Sequence, residues 1–244
     1  MNKGISYCLR NKLYLSLTNS CNSNTFLQLR GPSFQMPSSS QFRLLEEGFE
    51  PTAMDLFLAV DRAFDGGMIG VSSMDSDEIT FAGLGEPLLR LEVLTECASL
   101  ITEKRHGARL RVKTNGLILS SDSSVVAESI KRSGISDMSI CLASDNPVQY
   151  DRIMSPQSEA SFSDVCGFVV ACVEAGDARI DSTCLSHCIN SLITSTCRIG
   201  CDVHSRGDAR CEYRQRPSLV LLPRGDPFHE LSLPSLAPFE SITD

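Results

Sequence analysis

Tryptophan is absent from this chain of 244 residues, aromatic residues make up 6% of it, and no apolar run approaches the roughly 18 residues of a membrane-spanning helix. The missing runs argue against a membrane-spanning helix in this sequence and predict a soluble protein. Histidine is scarce, with four copies. His106 and His229 have no partner that spacing can name. Acid is missing altogether from residues 1–45, which carry Lys3, Arg10, Lys12, Arg30 and Arg43 among many serines. Organelle transit peptides have such a composition. Yet Leu13-Tyr14-Leu15-Ser16-Leu17 alternates as a buried strand does, and cleavage would discard it. The segment is therefore read as part of the fold.

Over the whole chain the balance reverses, to a net charge of −8, which argues against general nucleic-acid binding. An apolar fraction of 42% suffices for a substantial core, in one α/β domain or two small ones. Cysteine is plentiful, at eleven copies. With no recognisable secretory signal these read as reduced thiols, placing the protein in the cytoplasm or another reducing compartment.

The hydrophobic pattern alternates between strand and helix periods. Strands are predicted at Leu13–Thr18, Ile79–Ala82, Leu110–Thr114, Met138–Leu142 and Arg179–Cys184, and a sixth at Cys211–Arg214. Between them the spacing predicts helices over Thr52–Phe64, from Leu88 to about Lys104, Ser123–Arg132 and around Phe162–Cys172, and a weaker one over Ile189–Arg198. Residues 22–50 read mainly as a long loop, and the five prolines from Pro217 to Pro238 mark 217–244 as an extended tail. Units of about 25 to 35 residues indicate parallel strands with crossover helices. An open doubly wound sheet and a partial barrel both satisfy that pattern, and in either case ligands bind where the strands end.

Four stretches fall at such ends: Cys21, Gly83 to Pro87, Asn115-Gly116 and Ala143 to Asn146. In Phe81-Ala82-Gly83-Leu84-Gly85-Glu86-Pro87 two glycines leave room for close approach to the backbone, and one carboxylate suits a ligand that carries an amine. An ordinary strand-to-helix turn would use the same residues. A separate cluster, Cys184, Cys188, Cys197 and Cys201, has the spacing Cys-x3-Cys, eight residues, Cys-x3-Cys, near His187 and His204. It admits a zinc site or a thiol-rich helix.

Thr-Asn-x-Cys, Gly-x-Gly-Glu-Pro and Thr-Asn-Gly, ending successive strands in that order, resemble the radical S-adenosylmethionine (SAM) superfamily. The flanks (Leu13 to Asn22, Phe81 to Arg90, Arg111 to Leu117, Asp137 to Pro156) are most similar to its TatD-linked branch. The resemblance covers about residues 7–185. It implies a partial (βα)6 barrel over 1–216, a [4Fe–4S] cluster, SAM, and a 5′-deoxyadenosyl radical acting on an unknown small-molecule or peptide substrate. It assigns Gly83, Gly85, Glu86, Pro87, Asn115 and Ser144 to the cofactor, with Glu86 on the methionine amine, and Cys21 to the cluster. The cluster motif Cys-x3-Cys-x2-Cys here has Thr25 and Gln28 in place of the second and third cysteines. Three expectations follow: a cluster-free, non-catalytic module that binds SAM, another nucleotide or a protein; a cluster completed by the 184–201 cysteines; or a zinc-stabilised domain.

Overall fold

Parallel strands need a long return path, and this chain supplies helices for it. The computed structural model describes residues 3–10, 12–65, 78–175 and 179–182. The elements, in order, are β1 (Ser6–Leu9), β2 (Lys12–Leu15), α1 (Phe26–Leu29), α2 (Ala53–Asp65), β3 (Glu78–Phe81), α3 (Leu91–Lys104), β4 (Arg109–Thr114), α4 (Ser123–Arg132), β5 (Asp137–Ile140), α5 (Pro147–Met154), α6 (Phe162–Glu174) and β6 (Arg179–Ser182). Short 3-10 turns cover Ser38–Ser40 and Pro87–Arg90.

One sheet holds all six strands in the order β1-β2-β3-β4-β5-β6. β1 pairs antiparallel with β2, and β2 through β6 are parallel. The order of the parallel strands never reverses, so there is no topological switch point of the doubly wound kind. Crossovers of one hand, each stepping the same way, put the helices on one face and leave the other as the inner face of a partial barrel. The sixth parallel strand expected at Cys211–Arg214, the helix at Ile189–Arg198 and the tail lie outside the described residues.

Alternation along the strands separates the two faces. Leu13 and Leu15, Ile79 and Phe81, Leu110 and Val112, Met138 and Ile140 point into one core with α2, α3, α4 and α6. Each of these side chains is at most 1% exposed, worth about 1.5–3 kcal/mol apiece in water-to-core transfer. α2 contributes Ala53, Leu56, Ala59, Val60 and Ala63, the stripe of a helix on a sheet. The helix starts where Asp55 accepts from Thr52 N at 3.0 Å and Thr52 Oγ1 accepts from Asp55 N at 3.2 Å. That reciprocal cap lowers the Asp55 pKa.

On the inner face, Tyr7, Leu9, Tyr14 and Ala82 form a smaller apolar cluster. Next to it lie Thr80, Glu78, Arg111, Asp137 and Ser139. Alternation of apolar residues in β5 predicts a strand wet on one side, but all four of its residues are buried. Ion pairing and hydrogen bonding make that tolerable: Asp137 meets Arg109 at 3.0 Å, and Arg111 Nη1 donates to Ser139 Oγ at 3.1 Å.

Three elements lie outside the sequence expectation. β1 precedes the first predicted strand, α5 follows the β5 loop, and α1 with the Ser38–Ser40 turn interrupts the expected 22–50 loop. No helix among the described residues is long and apolar enough to cross a membrane.

Candidate functional site at the strand ends

The chain leaving β2 runs alongside the chain leaving β3. Ala82 N donates to Leu15 O at 2.9 Å, Gly85 N to Thr18 O at 3.2 Å and Glu86 N to Ser20 O at 2.9 Å. This explains both glycines. A Cβ on Gly85 would stand 2.4 Å from Ser20 O and 2.5 Å from Thr18 O; one on Gly83 would stand 2.7 Å from Ser16 Oγ. The close approach that these glycines permit is made by the chain itself, backbone at Gly85 and the Ser16 side chain at Gly83.

Glu86 is 4% exposed and its carboxylate joins two segments. Its Oε1 accepts from Thr114 Oγ1 at 2.7 Å and Leu88 N at 3.0 Å, and its Oε2 from Asn115 N at 2.7 Å. It thereby caps the 3-10 turn that begins with buried Pro87 and fixes that turn to the end of β4. Burial raises the Glu86 pKa and the hydrogen bonds oppose it; no cation among the described residues pairs with it.

Asn115 carries the connection onward. Its Nδ2 donates to Asn22 Oδ1 at 2.7 Å and Ser23 Oγ at 3.0 Å, and lies 3.8 Å from Cys21 Sγ. Its Oδ1 accepts from Leu117 N at 3.0 Å. Cys21, Glu86 and Asn115 therefore meet at one place. Ser144 makes its hydrogen bonds within its own loop: its Oγ donates to Gln149 Oε1 at 2.8 Å and accepts from Asn146 N at 3.1 Å, organising the start of α5. Tyr150 on α5 is fully buried, and its hydroxyl has no hydrogen-bond partner among the described residues.

The 19–28 loop is fixed by asparagines that sequence reasoning overlooked. Asn19 and Leu45 exchange hydrogen bonds of 2.9 and 3.2 Å. Asn24 Nδ2 donates to Ile153 O at 2.8 Å and Asn24 N to Met154 O at 2.7 Å. Arg90 was also missed: its Nη1 donates to Leu17 O at 2.9 Å and Pro51 O at 2.7 Å, holding the exit of β2.

Thr25 and Gln28 have a definite role. Gln28 N donates to Thr25 Oγ1 at 3.3 Å and Thr25 N to Gln28 Oε1 at 2.7 Å, a reciprocal capping box opening α1. Their oxygens are turned onto backbone, and neutral hydroxyl and amide oxygens are poor iron ligands beside thiolate. Among the described residues no three His, Cys, Asp or Glu side chains gather as a metal site. The donors present around Cys21 do not fit a [4Fe–4S] cluster. Cys184, Cys188, Cys197 and Cys201 lie outside the described residues.

No protein-family model matches this chain, and no curated protein does. Among solved structures it is similar to HydG, a maturase of the [FeFe]-hydrogenase, with 13% identity and a TM-score of 0.47 over 72% of this chain and 36% of that one. HydG from Carboxydothermus hydrogenoformans gives 18% identity and a TM-score of 0.48 over 70% of this chain and 35% of that one. The chain thus spans about a third of the length of each.

Proposed function

We propose that this chain is a cluster-free, non-catalytic binding module on a radical SAM-like frame, with SAM or a related amine-bearing nucleoside as the ligand of its strand-end mouth. The observation that carries the reading is the Thr25–Gln28 capping box, in which both candidate ligand positions are committed to holding the backbone of α1. Hydrogen bonds to β4, α5 and Leu45 fix the surrounding loop, a task that metal ligation would otherwise perform.

Glu86 supports the amine. Among the described residues its Oε2 accepts one hydrogen bond, so an acceptor position is left, and an ammonium would bring the countercharge that this buried carboxylate lacks. The TatD-linked affinity rests on the sequence resemblance alone.

Two measurements test the reading. Anaerobic reconstitution with iron and sulfide should return a colourless protein with iron well below stoichiometry. A brown product with a charge-transfer band would reject the cluster-free module and bring the 184–201 cysteines forward as ligands. Calorimetry should then show SAM binding more tightly than 5′-methylthioadenosine, which lacks the amine. Equal affinities would remove Glu86 from amine recognition, and no heat from either would reject the nucleoside.

A further inference from the structure

Residues 31–43 are held differently from the loop that precedes them. Gly31, with φ +85°, continues from α1 through a 3.0 Å bond to Gln28 O. From there the hydrogen bonds are internal: Phe34 N to Gly31 O at 3.2 Å, Ser40 N to Pro37 O at 2.9 Å, Gln41 N to Ser38 O at 3.2 Å, and Phe42 N to Ser40 Oγ at 3.1 Å. None of these reaches the sheet. Arg30 lies over the Phe34 ring at 4.8 Å, again a contact between neighbours in sequence.

Two half-buried side chains press the segment down. Met36 and Phe42 pack on Tyr7, Leu9, Tyr14 and Ala82, the apolar part of the inner face. The Phe42 ring meets Tyr7 edge-on at 4.9 Å, and Tyr7 stacks on Tyr14 at 5.0 Å. Gln41, a residue with a Cβ, is held at φ +56° as the cap of the Ser38–Ser40 turn, by the strap's own bond to Ser38 O. Both ends are firm. The Thr25–Gln28 box closes one, and Leu45, 4% exposed and paired with Asn19, closes the other.

We infer that residues 31–43 form a strap that opens as a unit between these anchors without unfolding the sheet, and that in its closed position it blocks the inner face of β1–β3 beside the Gly83–Pro87 turn. Among the described residues opening breaks no backbone hydrogen bond to a strand; it separates Met36 and Phe42 from an aromatic surface. That surface would stack with a flat aromatic group such as adenine. Ala82, beneath the strap, directly precedes the turn that holds Glu86, so a nucleoside at the mouth competes with the strap. The blocking role rests on the binding function proposed above; the opening does not.

Hydrogen–deuterium exchange of the full chain tests the opening. In Phe42→Ala, amides of 31–43 should exchange roughly tenfold faster or more, while β1–β3 and residues 19–28 keep wild-type rates. Acceleration of strap and strands together would show one cooperative unit and overturn the inference, as would an unchanged strap. Should Phe42→Ala not fold, Phe42→Leu carries the same test with a smaller acceleration. Calorimetry with SAM tests the blocking: Phe42→Ala should bind more tightly than wild type. Equal affinity removes the blocking role alone, whereas no binding by either protein rejects the mouth as a SAM site and the blocking with it, and the exchange data decide the opening.

Discussion

At their amino ends the central strands are joined by charge, whereas at their carboxyl ends they are joined by amides, hydroxyls and one carboxylate without a countercharge among the described residues. Lys12 and Arg111 both meet Glu78 at 3.3 Å, and Arg111 and Arg109 meet Asp137 at 3.4 and 3.0 Å. Glu78 and Asp137 are buried and Arg111 nearly so, while Lys12 and Arg109 reach from the lattice into water. At the other end Asn115, Asn22 and Asn24 are neutral and Glu86 is unpaired in charge among the described residues, and they tie loops to one another and to the end of β4. The amino ends lock the register of the sheet. The carboxyl ends hold the loops in place, and there Glu86 Oε2 accepts a single hydrogen bond among the described residues.

The sharpest way to break this contrast is at Asp137. Asp137→Ala removes the carboxylate shared by Arg109 and Arg111, with Arg111 keeping Glu78, and should cost about 3 kcal/mol in urea unfolding; a loss below about 1 kcal/mol would mean that the lattice does little to hold the strands. Asn115→Ala comes next. It orphans Asn22 Oδ1 and Leu117 N, and a loss of about 2–3 kcal/mol is expected, with faster exchange confined to the 19–28 loop. Exchange that spreads through the strands would erase the distinction between the two ends.

Glu86→Gln puts an amide donor against one of the N–H or O–H groups that the carboxylate now accepts, for about 1–3 kcal/mol. Its pH dependence sharpens the comparison. Because the folded pKa is raised, the native state keeps its proton where the unfolded chain has already lost it, so the stabilisation is full below the ordinary 4.5 and is lost as pH rises through the folded value. The penalty of the variant should therefore shrink with rising pH, and parallel curves would refute a raised pKa. The smallest effect belongs to Thr25→Ala, which removes half of the capping box and should cost about 1 kcal/mol, read as faster exchange of α1 alone.

Much of the frame was legible in the sequence. α4 spans Ser123–Arg132 as its period predicts, and α3 and β4 lie within a few residues of expectation, because long amphipathic stripes and a buried alternating run leave little choice. α5 went unseen because Asn146-Pro147 reads as a turn, although Asn146 is an N-cap whose side chain accepts from Gln149 N, with proline in the first helical turn. β1 is four residues long and lies in a serine-rich, acid-free stretch with no period of its own. The meeting of Cys21, Glu86 and Asn115 followed from strand-end logic. Thr25-x-x-Gln28 was noticed only for the thiols it lacks. The same three-residue step that metal ligation uses is also the step of a capping box, and that signal was there to be read. The asparagine contacts were beyond sequence reasoning, since a loop's partners are fixed by where distant strands end.

One spectroscopic consequence follows from the stacked pair beneath the strap. With tryptophan absent and four tyrosines in all, near-ultraviolet circular dichroism of this chain comes mainly from phenol rings, and Tyr7 and Tyr14, with centroids 5.0 Å apart and planes inclined by 21°, are close enough to couple as a chiral dimer. The Phe42 edge packed against Tyr7 ties that signal to the position of a single segment. The protein thus carries an intrinsic optical gauge of its own closure, readable in solution without a label.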